Sequence, residues 1–235
     1  YTIQTRLNIL RSYLFFLIFY CNLAFNQQLL TFIAMSETQS IDVSKDRIKL
    51  PFNFDVKKMT EEFEILKEKH LSQYEYYDAI PLRAPAHLVD PSIPFPPPAD
   101  DYADGSWTAW LDTDKLKTSQ YLTDIVNFFR DNTKVTLVRL LRLAPGQVVK
   151  EHTDPTLALE VEKSVVRLTI PIINNDRVTF YLNSTPVEMA PGECWYLKLN
   201  DPHMITNYGE EERVNLTIDM IPNEWLRNII EESIK

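Results

Sequence analysis

Val56, Met59, Phe63 and Leu66 recur at intervals of three and four with charged residues between them, the spacing of one face of an amphipathic helix. Asp55 stands just ahead as an N-cap, and the helix is expected to end between His70 and Tyr74. The following "YDAIPLRAP" reads as a short strand stopped by its prolines. "VDPSIPFPPPADDYADGSW" is rich in Pro and Asp and predicts a long loop, and loops of that length are often lids or binding loops. In "TSQYLTDIVNFFRDN" the helical period returns: Thr118 or Ser119 caps it, and Tyr121, Leu122, Ile125, Phe128 and Phe129 form one face. Beyond it the period changes to two. "KVTLVRLLRLAPGQ", "KSVVRLTIPII", "RVTFYLN", "TPVEMAPGECWYLKL" and "ERVNLTIDMI" predict strands separated by turn residues. "NEWLRNIIEESIK" closes as a helix capped by Asn223, with Trp225, Leu226, Ile229 and Ile230 on one side.

Helices first, then evenly spaced short strands, then a terminal helix predict a mainly β domain, a sandwich or jelly roll with flanking helices packed outside. A single domain over residues 55–235 is expected, with its core about 76–222 and its last helix at 223–235, preceded by a loose polar arm at 35–54. The chain of 235 residues suffices for one full core. Its net charge of −9 argues against nucleic acid or an anionic membrane surface as partner, yet allows a locally basic pocket for a small anion. Two cysteines, Cys21 and Cys194, make neither a disulfide framework nor a zinc pair. Cys194, on a strand between Glu193 and Trp195, is expected in the core.

Residues 1–34 differ from the rest, with Arg6, Arg11, no acidic residue and the apolar run "YLFFLIFYCNLAF". One expectation is translated upstream sequence ahead of a start at Met35, which makes the protein cytoplasmic. The other is a membrane-directed signal or anchor segment, although Asn22, Asn26, Gln27 and Gln28 interrupt it.

Of the four histidines, His70 falls on the charged side of a helix and His87 in the Pro-rich loop, whereas His152 and His203 fall at strand edges. In "EHTD", His152 and Asp154 are two apart, so an extended backbone turns both to one side. With His203 they make two histidines and a carboxylate, the ligand pattern of non-haem Fe(II) oxygenases. Arg213, Asn215, Thr217 and Asp219 alternate with Val214, Leu216, Ile218 and Met220, giving a strand with one polar face. "VVRLTIPI" likewise sets Arg167 and Thr169 on one face. Two arginines turned to one cavity would bind a dicarboxylate through paired hydrogen bonds. The competing reading makes both of them rim arginines paired with surface acids.

From about Val135 to Trp225 the chain resembles the aspartyl/asparaginyl β-hydroxylases, a family of Fe(II)/2-oxoglutarate dioxygenases. The matching segments are "VRLLRLAPGQVVKEHTD", "VVRLTIPI" and "MAPGECWYLKLNDPHMITNYGEEERVNLTID", with "YYDAIPLRAP" similar to the segment preceding the domain in small bacterial members. The resemblance implies a double-stranded β-helix, a cupin-like jelly roll. It implies Fe(II) held by His152, Asp154 and His203, and 2-oxoglutarate gripped by Arg213 with help from Arg167. Thr169 stands where many members have a histidine near the cosubstrate. O2 would be consumed and succinate and CO2 released as a C–H of an amino acid, or of an Asp, Asn or Pro-type side chain in a peptide, is hydroxylated. The segment at 88–106, with Trp107 and Trp110 after it, is the candidate lid. A small molecule or short peptide is the expected substrate. Two alternatives stand beside this reading: a non-oxidative metal-binding cupin acting as isomerase or ligand sensor, and, if residues 1–34 are genuine, a membrane-associated lipid or protein hydroxylase.

Overall fold

The computed structural model describes residues 43–73, 76–96, 107–160 and 163–234. The expectations for residues 1–34, and for 97–106 of the candidate lid, lie outside the described residues. Part of the arm expected to be loose over 35–54 is regular structure, from Val43 onward. A short helix α1 (Val43–Asp46) leads into strand β1 (Arg47–Asn53). Ile48 and Leu50 of β1 are buried and alternate with Arg47 and Lys49, a period-two pattern too short to stand out in the sequence. The Arg47 guanidinium pins the segment, donating to both Asp46 carboxylate oxygens and to the carbonyls of Leu182 and Pro186.

Helix α2 (Val56–His70) starts where expected, with the Asp55 carboxylate accepting from the Lys58 N–H, and buries Met59, Phe63 and Leu66. Strands β2 (Ser72–Gln73) and β3 (Asp78–Pro85) follow. Of the prolines expected to stop β3, Pro85 is its last residue, whereas Pro81 lies inside it, where the pairing shifts register between Pro81 and Arg83 and a bulge requires no N–H from proline. Helix α3 (Ala86–Val89), strand β4 (Trp110–Asp112) and helix α4 (Asp114–Lys117) lead to helix α5 (Gln120–Arg130). Its N-terminus is not capped as the sequence predicts. The Ser119 hydroxyl donates to the Lys115 carbonyl of the preceding turn, and the Glu62 carboxylate of α2 accepts from the N–H groups of Tyr121 and Leu122 at 2.8 and 2.9 Å. The cap is thus a tertiary contact between two helices, with the negative charge at the positive end of the α5 dipole.

The remaining elements are β5 (Val135–Leu143), β6 (Val148–His152), β7 (Val166–Ile173), β8 (Val178–Leu182), β9 (Thr185–Val187), β10 (Glu193–Leu197), β11 (His203–Asn207), β12 (Arg213–Met220) and helix α6 (Glu224–Glu232), capped by the Asn223 side chain. "TPVEMAPGECWYLKL" is therefore two strands, broken at Pro191-Gly192. Gly192 has φ +86°, and a Cβ there would lie 2.7 Å from the Phe54 carbonyl.

The strands form a jelly roll of two antiparallel sheets. The larger runs β1-β10-β7-β12-β5-β3-β2, with β4 added on β3, and the smaller runs β6-β11-β8-β9. One face of the large sheet packs on α2, α5 and α6 through a core that includes Phe63, Phe129, Leu140, Leu168, Leu216, Ile218 and Leu226. Cys194 lies in that core, fully buried, and burial pushes its thiol pKa up. Among the described residues no helix is long and apolar enough to cross a membrane.

Removing the cross-helix cap with Glu62→Ala should destabilise the fold by about 1–2 kcal/mol, seen as a lower urea midpoint with unchanged slope. Ser119→Ala should cost less, because that hydroxyl does not cap α5.

Candidate functional site

Strands β6 and β11 pair so that His152 and His203 are directly opposite each other. Opposed residues of an antiparallel pair turn to the same side, and the two rings lie 4.2 Å apart between centroids. His152 Nδ1 is 2.7 Å from the Lys150 carbonyl and His203 Nδ1 is 3.0 Å from the Asp201 carbonyl. A carbonyl only accepts, so both Nδ1 atoms carry a proton, and in the neutral form of either ring Nε2 is the atom that keeps the lone pair. Asp154 lies beyond the end of β6, held there by its own N–H donating to the Leu199 carbonyl at 2.9 Å. Its reach toward the histidines thus comes from a turn tied across to another segment rather than from a continuing strand. Potential ligand atoms of His152, Asp154 and His203 all lie within 4.8 Å of one another. His203 is buried and stacks on Phe180, with ring planes 9° apart. Its pKa is lowered from the ordinary 6.5, first by burial and also by the neighbouring His152 and Arg167, so it is neutral at pH 7. Two imidazoles with fixed tautomers and one carboxylate are a set that can hold Fe(II).

The site opens on a cavity of about 550 Å³ between the two sheets. Its floor is the polar face of β12, whose other face belongs to the helix-side core. In register, Arg213 is opposite Leu143, Asn215 opposite Leu141 and Pro171, Thr217 opposite Arg139 and Thr169, and Asp219 opposite Arg167. All four polar residues of β12 line the cavity, as do Arg167 and Thr169.

The two arginines singled out by the sequence reach this cavity in different electrostatic states. Arg167 is neutralised: its Nε and one terminal nitrogen donate to the two Asp219 oxygens at 2.6 and 2.8 Å, and its other terminal nitrogen is 3.5 Å from Asp154. Burial disfavours its charge, but Asp219 and Asp154 more than offset this and its pKa is raised. Arg213 has no carboxylate within 4.0 Å among the described residues. With its amide oxygen turned toward the guanidinium, Asn215 accepts from both terminal nitrogens at 2.5 and 3.0 Å, and the Phe180 ring lies 6.0 Å away. A neutral amide and a ring do not cancel a charge. Burial alone pushes the Arg213 pKa down to about 10. A buried cation without a counter-ion is costly, and here it faces a cavity that can admit an anion. The reading of both as rim arginines paired with surface acids fits neither: the acid on Arg167 is the buried Asp219, and Arg213 has none.

Trp107 and Trp110, expected beside a lid, line the cavity together with Tyr77. His87 is not in it; its ring lies 4.6 Å from that of Phe95. Sequence reasoning gave Asp219 no role and passed over Arg139. The pairing of Asp219 with Arg167 needed the β7–β12 register, which no local pattern specifies.

A family described as Aspartyl/Asparaginyl beta-hydroxylase matches residues 103–222. The L-proline cis-4-hydroxylase of Rhizobium meliloti (strain 1021) is 26% identical over 123 residues, which is 51% of this chain and 43% of that protein. The L-proline cis-3-hydroxylase 2 of Streptomyces sp is 29% identical over 102 residues, 42% of this chain and 34% of that protein. The aligned stretch thus spans less than half the length of either curated relative. A solved non-heme alpha ketoglutarate dependent carbocyclase from nogalamycin biosynthesis superposes with a TM-score of 0.51 at 10% identity, over 79% of this chain and 85% of that one, a likeness of fold alone. With the match covering just over half of its residues, the chain belongs to the aspartyl/asparaginyl β-hydroxylase family.

Proposed function

We propose that the protein is a 2-oxoglutarate-dependent dioxygenase that hydroxylates a C–H of an amino acid, or of an Asp, Asn or Pro-type side chain in a peptide. The observation that carries this reading is the meeting, in one cavity, of a metal-suited His152, Asp154 and His203 with a buried Arg213 that has no counter-ion. Two relatives named as proline hydroxylases support the substrate class. A non-oxidative cupin does not by itself account for a buried arginine ten residues beyond its second histidine.

In this reading His152, Asp154 and His203 hold Fe(II). Bound Fe(II), with 2-oxoglutarate and O2, would supply the oxidising power for the hydroxylation, with succinate and CO2 as the other products. The protein binds and orients. Arg213 pairs with the 2-oxoglutarate carboxylate remote from the metal, oriented by Asn215 and screened from water by Phe180. Thr169 of β7, opposite Thr217 of β12, offers its hydroxyl to the same ligand. Arg167, fixed by Asp219, presents its remaining N–H toward Asp154 and limits the rotation of that carboxylate. The Lys150 and Asp201 carbonyls fix the imidazole rings so that Nε2 is the coordinating atom. Trp107 and Trp110 contribute apolar wall that keeps water from the reacting centre.

With Fe(II), ascorbate and 2-oxoglutarate, the purified protein should form succinate, and His152→Ala should eliminate this. A wild type that does not bind 2-oxoglutarate at millimolar concentration would sink the proposal. Arg213→Ala should raise the Kd for 2-oxoglutarate about 30-fold or more in anaerobic calorimetry, with Mn(II) affinity little changed. Asp154→Ala should show the reverse, losing Mn(II) affinity first.

Asp219→Asn should cost about 3–5 kcal/mol of stability, because it leaves Arg167 buried without its partner. The double change Arg167→Met with Asp219→Leu should cost less than Asp219→Asn alone, as read by urea unfolding.

A further inference from the structure

Four arginines line the cavity: Arg139, Arg142, Arg167 and Arg213. Two are neutralised by protein acids. Arg142 is paired with Asp78 at 2.6 Å and with Glu212, and Arg167 with Asp219. The ligand set of the proposed function accounts for a third, since 2-oxoglutarate has two carboxylates, one beside the metal and one for Arg213. Arg139 is left over.

Its surroundings offer it no counter-charge. Arg139 stands near the middle of β5, with Pro81 of β3 and Thr217 of β12 as its direct cross-strand neighbours. Leu137 and Leu141 are its same-face neighbours along the strand. None of the four is charged. Among the described residues no carboxylate lies within 4.0 Å of the Arg139 guanidinium, and its Nε is buried without a hydrogen-bond partner. A buried N–H without an acceptor costs about 1–3 kcal/mol, and Arg139 carries that cost while lining the cavity without a protein counter-ion. The two acids that line the cavity, Asp154 and Asp219, are already engaged by Arg167. Arg139 is also remote from Arg213. Its partner Thr217 is four residues along β12 from Arg213, a separation of about 13–14 Å between backbone positions at ~3.4 Å per residue. Along the backbone, the two arginines are therefore set well apart on the cavity floor.

We propose that Arg139 is a specificity-determining residue that binds a carboxylate of the substrate itself, so that the substrate is a carboxylate-bearing small molecule such as a free amino acid. This rests on the dioxygenase reading for its assignment of Arg213. A guanidinium set apart from Arg213 would anchor the substrate by its acid group and leave the rest of the molecule to extend toward the metal-binding histidines. An internal residue of a peptide has no α-carboxylate to offer, and its side-chain acid would have to serve instead.

The test is a binding panel on wild type and on Arg139→Gln, with Arg139→Met as a second charge-removing variant. Each common amino acid is titrated beside its carboxamide, on protein loaded with Mn(II) and 2-oxoglutarate under argon and on ligand-free protein. Support is at least one acid bound about tenfold or more tighter than its amide by wild type, with that preference lost in the variants while their 2-oxoglutarate affinity is retained. The proposal is overturned if no acid is preferred, if the preference survives removal of Arg139, or if the variants lose 2-oxoglutarate binding, which would assign Arg139 to the cosubstrate. Absence of 2-oxoglutarate binding by wild type would instead reject the dioxygenase reading, and the ligand-free panel would still decide whether Arg139 selects a carboxylate.

Discussion

Strand β12 is buried along all eight of its residues, yet only one of its faces is apolar. Val214, Leu216, Ile218 and Met220 join the core beneath the helices, while Arg213, Asn215, Thr217 and Asp219 form the floor of the cavity. Burying a polar strand face is unfavourable unless each group finds a partner, and this requirement shapes the rest of the site. Asp219 is met by Arg167 of β7, the Thr217 hydroxyl donates to the Arg139 carbonyl of β5, and Asn215 serves Arg213. A one-residue slip of β12 would turn the arginine into the hydrophobic core and the leucine into the cavity. The helix-side core therefore enforces the register on which the site depends.

The opposite wall follows a second pairing. The β6–β11 ladder sets His152 against His203, and backbone carbonyls two residues before each ring fix its tautomer. Asp154 joins them through a hydrogen bond across to Leu199 rather than through strand geometry. The two walls carry different chemistry: two imidazoles and a carboxylate suited to a metal above, and fixed positive charge below. An acidic protein thus contains a locally cationic cavity, because the arginines are concentrated on three adjacent strands while much of the negative charge lies elsewhere. Cross-strand acids cancel the charge on Arg142 and Arg167, and what remains uncancelled faces the space a ligand would fill.

Much of this was legible locally. Helices α2, α5 and α6 follow from their three-and-four spacing, and the Asp55 and Asn223 caps from residue type, since both signals involve residues within one turn of each other. The alternation of β12, the His-x-Asp spacing and the position of Cys194 in the core could be read in the same way. The expectations that failed each depended on a distant partner. The arm over 35–54 was read as loose because Ile48 and Leu50 have no pattern of consequence until β10 offers an edge. Helix α5 was assigned a local cap, but a carboxylate from α2 supplies it. Both prolines of β3 were read as stops, but only Pro85 stands at its end, and a bulge against β5 accommodates Pro81.

The sequence by itself determined which residues alternate, which turn, and which side chains can coordinate a metal, because these follow from the backbone period and from side-chain chemistry. Only the tertiary structure decided which charges are cancelled. Arg139, Arg142, Arg167 and Arg213 are indistinguishable as letters, and no spacing within a strand reveals that Asp78, Glu212 and Asp219 neutralise two of them and leave two exposed to the cavity. The physical reason is that electrostatic compensation acts across strands, between residues 52 to 70 positions apart in the pairs Arg167–Asp219, Arg142–Asp78 and Arg142–Glu212, and exists only once the register of the sheet has brought them together.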